Sequence, residues 1–238
     1  MAIDEQTALI TGGSKGIGFG IAQALIKKSV RVMITSRSKD EVEKAADQLN
    51  KLGGAQVIGI QADVRDRKSM ENAVKTLIDK WGQLDVLVAN AGVGIFGSIE
   101  SLTHEQWNNV IETNLTGVFN SVKASLDALK KSKGYVITIS SLAGTNFFAG
   151  GAAYNASKFG LTGFSQAIML DLRKHGIKVS TIMPGSVATY FNDHTPGESD
   201  DWKIQIEDIG QVVSDLLEMN PRTLPSKIEI RPSVPPAS

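Results

Sequence analysis

A phenol and an amine stand four residues apart at Tyr154 and Lys158, in a segment that reads as a helix from about Gly151. Side chains at that spacing share one helix face. A free tyrosine titrates near pH ~10, too high for a good base at neutral pH, and an ammonium beside it favours the phenolate. Lys158 is therefore expected to draw the Tyr154 pKa down, making the phenol an acid, or a base in the reverse direction. Ser141, just after the apolar run Tyr135–Ser140, can donate a hydrogen bond to an oxygen that gathers negative charge. Ser140 beside it carries the same hydroxyl, so the register between the two is open. Such a set suits reduction of a carbonyl, if a hydride donor lies on the other side of the carbon.

The strongest local pattern is TGGSKGIG at Thr11–Gly18, directly after the first candidate strand and opening the first candidate helix. Glycines allow a tight turn and close backbone approach, and a helix N-terminus offers free N–H groups and a positive dipole end to a pyrophosphate. A plain turn is the bland alternative. Gly12–Gly16 also matches G-x-S-x-G, but a nucleophile elbow needs an oxyanion loop from an earlier strand, and this turn follows the first one. A P-loop would end in Gly-Lys-Ser/Thr, whereas the chain reads Gly18-Phe19-Gly20.

These residues must be positioned by an alternating architecture. Short β-branched runs at Thr7–Thr11, Val30–Thr35, Gln56–Ile60, Val86–Ala89, Tyr135–Ser140, Lys178–Met183 and a short last one at Lys227–Ile230 are mostly apolar on both faces. Helical segments begin between them near Gly16, Lys39, Asp66, Thr103, Gly151 and Glu207, and Ile17, Ile21 and Leu25 form one stripe of the first. This rhythm predicts one α/β domain over 1–238, a doubly wound Rossmann-type parallel sheet of about seven strands with helices on both faces. Residues 188–203, polar and mixed around Pro196-Gly197, read as a substrate loop. The Pro-rich tail after Ile230 reads as loosely ordered.

Taken in order, the motifs resemble the short-chain dehydrogenase/reductase family, and the likeness weakens after about Thr189. Thr11, Gly12, Gly16 and Gly18 satisfy its T-G-x-x-x-G-x-G turn. Asp63-Val64, Asn90-Ala91-Gly92, Asn114, Ser141, Tyr154-x-x-x-Lys158, Pro184-Gly185 and Thr189 follow at strand ends or on neighbouring helices. The family often has Asn where this chain has Ala89, a change expected to touch local packing only. The resemblance implies that Lys158 also holds the nicotinamide ribose and that Asn114 holds a water linking Lys158 to solvent. It further implies a dinucleotide lying along Gly12, Ser14, Lys15, Gly16, Ile17, Gly18, Ser36, Arg37, Asp63, Val64, Asn90, Ala91, Gly92, Pro184, Gly185, Val187 and Thr189. Asp63 is expected to accept from the adenine amine.

NAD enzymes usually place an acid at the end of the second strand. Here the chain reads Thr35-Ser36-Arg37, with Lys15 in the glycine turn, and a 2′-phosphate would welcome both cations. The expected cofactor is NADP(H). Val93, Phe96, Phe147, Phe148, Phe191 and Trp202 are expected around the nicotinamide end. His104, His175 and His194 lack ligand spacing, so no metal is expected, and Asp193, Glu198, Asp200 and Asp201 read as a solvated loop.

Twenty-five basic residues balance 25 acidic ones, which argues against nucleic acid or an anionic membrane as partner. With no cysteine, disulfides and thiol chemistry are excluded. An acidic N-terminus and the absence of long apolar runs point to a cytoplasmic protein. Small residues at Ala152, Ala156, Gly160 and Gly163 would let another helix approach, and the resemblance implies a dimer or tetramer through this helix. The leading expectation is an NADPH-dependent carbonyl reductase acting on a ketone or 3-oxoacyl thioester. An alcohol or sugar dehydrogenase working oxidatively, and a silent nucleotide-binding scaffold, are the alternatives.

Overall fold

The computed structural model describes residues 3–235; Met1, Ala2 and residues 236–238, and with them the ends of the expectations for the N-terminus and tail, lie outside that range. Among the described residues, seven strands form one sheet: β1 (Thr7–Thr11), β2 (Arg31–Ser36), β3 (Val57–Gln61), β4 (Val86–Ala89), β5 (Tyr135–Ile139), β6 (Lys178–Pro184) and β7 (Lys227–Ile230). All pairs are parallel, in the order β3-β2-β1-β4-β5-β6-β7. The chain order reverses between β1 and β4, which opens a crevice at the carboxyl ends of those strands.

Seven α-helices of the same range flank the sheet: α1 (Gly16–Lys27), α2 (Lys39–Lys51), α3 (Arg67–Trp81), α4 (His104–Ile111), α5 (Gly117–Ser132), α6 (Ala152–Leu172) and α7 (Ile206–Glu218). The starts expected at Asp66 and Thr103 are N-caps, one residue before the first helical position. Asp66 accepts from the Lys68 N–H, and Thr103 exchanges hydrogen bonds with Gln106 in a capping box. The central strands turn alternate residues into one of two apolar layers. Ala8 and Ile10 of β1 pack with Ile21 and Leu25 of α1, Val42 and Leu49 of α2, and Val213 of α7. Leu9, between them, packs on the other face with Met70 and Leu77 of α3, Val122 of α5 and Leu161 of α6. Ile10, Leu9 and Leu25 are fully buried, each stabilising the fold by about 1.5–3 kcal/mol.

The segment that reads as a single helix from Thr103 has a widened π turn at Glu112–Thr116, between α4 and α5. Asn114 lies in that turn and is fully buried. A π turn rotates the residues around it off the regular 3.6-residue face.

Candidate active site

The glycine turn joins β1 to α1 along the crevice. Gly12 has a φ of 65°, and a Cβ there would lie 2.8 Å from Ala91 Cα, so only glycine lets β1 and the β4 end come this close. Asn90 knits the two ends together. Its amide donates to the carbonyls of Thr11 (2.9 Å) and Gly12 (3.0 Å), while the Asn90 and Ala91 N–H groups donate to Thr11 Oγ1. Asn90 thus acts by holding the turn. At the start of α1, Lys15 makes no side-chain cap and no acid occupies the first turn. The free N–H groups and positive end of the dipole face the cleft without a competing carboxylate.

The cleft has a volume of about 1630 Å³, and the whole expected cofactor set lies on its wall except Gly18, which is buried behind it. Lys15, Ser36 and Arg37 line one end, and neither cation is in an ion pair among the described residues. Asp63 and Val64 lie next to them. The Asp63 carboxylate is gripped by Arg65, with 2.6 Å between the guanidinium and Oδ2, which holds its pKa below the usual range. Burial partly opposes that effect, and the Arg65 backbone N–H and charge add to it. Pro184, Gly185, Val187 and Thr189 follow β6 along the opposite wall.

Ser141, Tyr154 and Lys158 meet beyond the end of β5. Ser141 caps a short 3-10 turn at Leu142–Gly144, accepting from Ala143 N–H at 3.1 Å, and hydrogen-bonds the Tyr154 hydroxyl. Ser140 faces away: its Oγ lies 3.0 Å from Thr162 Oγ1, beneath α6. Of the two hydroxyls, Ser141 is the one on the Tyr154 side. Tyr154 and Lys158 do share a face of α6, and Lys158 Nζ lies 5.7 Å from the tyrosine ring centre.

The expected lowering of the Tyr154 pKa is not what the structure shows. Burial raises it, and the Ser141 hydrogen bond opposes that rise only in part. The reason lies with Lys158, which is itself buried and has its pKa pulled down to about 8. Its ammonium donates to the Ile139 carbonyl at 3.0 Å and not to the phenol.

Asn114 sits one layer behind. Its amide exchanges two hydrogen bonds with the Val93 backbone, at 2.8 and 2.9 Å, and donates to Ser157 Oγ at 3.1 Å. It therefore fixes the loop after β4 against α6. The π turn that presents it has no signal in a helical apolar pattern.

One expectation about the later loops is corrected. Asp200 is not a solvated acid: it is buried, accepting from His194 Nε2 and Lys203 Nζ at 2.6 Å each and from Gly197 N–H at 3.1 Å. Those contacts, Lys203 first and His194 next, bring its pKa down to about 2. Glu198 and Asp201 are exposed as expected. After β7, Arg231, Pro232 and Pro235 lie on the cleft wall. The Gly185 N–H donates to Ile230 O at 2.8 Å and anchors the end of that strand. The apolar residues expected at the substrate end, Val93, Phe96, Phe147, Phe148, Phe191 and Trp202, all line the cleft.

The sequence profile described as short chain dehydrogenase matches residues 6–199. This chain is a short-chain dehydrogenase. The dehydrogenase is 36% identical over 207 residues to the 3-oxoacyl-(acyl-carrier-protein) reductase of Salmonella typhimurium, covering 87% of this chain and 82% of that one. Among solved structures it resembles an alcohol dehydrogenase of the archaeon Thermococcus sibiricus, complexed with 5-hydroxy-NADP. The TM-score is 0.92 at 29% identity, over 98% of this chain and 99% of that one. It also resembles a metagenomic short-chain oxidoreductase in complex with NADP, with a TM-score of 0.86 at 31% identity, over 99% and 100% of the two chains. The dehydrogenase is an oxidoreductase working on a carbonyl or alcohol group. No helix among its described residues is long and apolar enough to cross a membrane.

Proposed function

We propose that this dehydrogenase binds NADP(H) and reduces a ketone to an alcohol. The observation that carries the reading is one continuous cleft. It runs from two cations with no ion pair among the described residues, past an uncapped helix N-terminus, to Ser141, Tyr154 and Lys158. The α1 N–H groups would take the pyrophosphate, Arg37 and Lys15 the 2′-phosphate, and Lys158 the nicotinamide ribose. The close approach at Gly12 fits a dinucleotide laid against bare backbone. NADPH supplies the hydride when bound. The protein's own part is the proton and the oxygen. Ser141 donates a hydrogen bond to the substrate oxygen, and Tyr154 gives it a proton. Burial keeps the Tyr154 pKa above its ordinary value, so the phenol holds at neutral pH the proton that a carbonyl oxygen would take. The intact Ser141, Tyr154 and Lys158 geometry favours an enzyme over a silent scaffold.

Two related enzymes are complexed with NADP or a derivative of it, and the Salmonella relative is a reductase of a 3-oxoacyl group; both facts support the reading. Phe119 on α5 and Phe159 on α6 are large exposed apolar side chains, and Ala152 and Ala156 are exposed beside them, which supports assembly with a second copy through these helices. The test is loss of NADPH absorbance with a ketone panel. Tyr154→Phe should lose at least about a hundredfold in kcat, in line with removal of a positioned acid. Arg37→Ala should lower the NADPH-over-NADH ratio of kcat/KM by about tenfold or more, the effect of one charge-assisted contact. Wild-type turnover in the first variant, or an unchanged ratio in the second, refutes the corresponding assignment.

A further inference from the structure

Three phenyl rings cluster beside Tyr154, each brought by a different loop, two of them against its ring and the third behind Phe96. Phe96 follows β4, Phe148 precedes α6, and Phe191 follows β6. The Phe96 ring centre lies 5.4 Å from that of Tyr154 at 76°, and the Phe191 ring 5.6 Å from Tyr154 at 57°. Phe96 meets Phe148 at 5.7 Å and 61°, and Phe191 at 6.4 Å and 63°. The backbone is cut back to seat two of them. A Cβ on Gly94 would lie 2.3 Å from Phe191 Cε1, and one on Gly151 would lie 2.8 Å from Phe148 Cε2. Even so, the three rings remain 37–48% exposed, and all of them face the cleft.

Apolar area left open inside a concave site is stabilised only when something apolar covers it. The charged groups nearest the rings do not ask for a charged occupant. Lys203 is paired with the buried Asp200, and His194 is hydrogen-bonded to the same carboxylate. Rings meeting edge to face leave faces and edges free for one more ring in the same arrangement. Each such pair adds about two- to twelvefold to binding beyond its contact area. A linear acyl chain would gain the area and not the pairing.

We infer that the ketone substrate carries a neutral aromatic ring close to its carbonyl, seated against Phe96, Phe148 and Phe191 while the oxygen meets Ser141 and Tyr154. This rests on the reductase reading. The hydride for the carbonyl carbon would come from bound NADPH, and Tyr154 would give a proton to its oxygen, so that a secondary alcohol and NADP⁺ would leave and solvent would return the proton to the phenolate.

The test compares phenylacetone, cyclohexylacetone and acetoacetyl-coenzyme A with the full chain and NADPH. The two small ketones share a skeleton and an unconjugated carbonyl, so they differ chiefly in aromaticity. Phenylacetone should exceed both competitors in kcat/KM by about tenfold or more, the value of two aromatic pairs. Phe191→Leu combined with Phe96→Leu should cut the phenylacetone-to-cyclohexylacetone ratio about tenfold. Gly94→Val, which displaces the Phe191 ring from its seat, should lower the same ratio without removing a phenyl group. A ratio near one in the wild type, or one unmoved in all variants, overturns the inference. Turnover of the thioester alone overturns it and leaves the reductase reading standing. Bound NADPH with no turnover of any of the three overturns both.

Discussion

Replacing Lys158 by Met should make the pH dependence of stability change by about 2 kcal/mol between pH 7 and about pH 9.5. Burial favours the neutral amine, so the folded pKa, about 8, lies below the ordinary value of 10.5. Between those two values the unfolded chain keeps a proton that the native protein has released. Stability from this group therefore rises with pH through the window and is level below about 8. At pH 7 the buried charge costs the fold about 3 kcal/mol, since every tenfold loss of proton affinity corresponds to about 1.4 kcal/mol. Methionine removes that cost, but it leaves the Ile139 carbonyl without its 3.0 Å donor, a loss of about 1–3 kcal/mol. The two nearly offset at pH 7, and the pH dependence is the sharper readout. By about pH 9.5 the wild type should have regained about 2 kcal/mol relative to Lys158→Met. Urea unfolding of both proteins at one fixed concentration measures this, in a Tyr154→Phe background so that the phenol does not contribute. If the wild-type and mutant curves stay parallel from pH 7 to about pH 9.5, the buried-amine reasoning is wrong.

The glycine turn can be probed at Gly18, where a Cβ would meet Gly12 O at 2.5 Å and Asn90 Nδ2 at 2.6 Å. Gly18→Ala should displace the Asn90 amide, weaken NADPH binding at least about tenfold and destabilise the fold by about 1–3 kcal/mol, read by fluorescence titration and urea unfolding. At the other end of the cleft, Asp200→Ala should undo the clasp by which residues 188–203 fold back on themselves through His194 and Lys203, and limited proteolysis should then cut there faster. The Asp200 pKa is depressed to about 2, so its hold on the loop is complete above the unfolded carboxylate range and is lost only as pH falls toward 2. Wild-type loop protection should therefore be unchanged from neutral pH down to about pH 5.

Much of the architecture was legible because periodicity is a local property. The seven strands fall within one residue of their expected bounds, since β-branched runs apolar on both faces suit a covered parallel sheet. Thr11, Gly12, Asn90 and Ser141 come together because they stand at or just beyond the ends of strands that the parallel topology aligns, and α6 carries Tyr154 and Lys158 to the same end of the sheet. Arg37 was readable for the same reason.

What depends on neighbours distant in sequence was not. The choice of Ser141 over Ser140 rests on which hydroxyl turns beneath α6 toward Thr162, and residue type is blind to that. The direction in which the Tyr154 pKa moves is hidden from the sequence because desolvation and the competing Ile139 carbonyl come from the folded surroundings, whereas spacing along a helix shows only that two side chains are close. Asp200 has the composition of a loop acid and the environment of a buried one, made by partners three and six residues away that only a folded-back loop presents. Local pattern thus determined the elements and which residues gather along one cleft. Burial, hydrogen-bond choice and charge state were decided by the tertiary structure, because each is set by the groups that packing brings into contact.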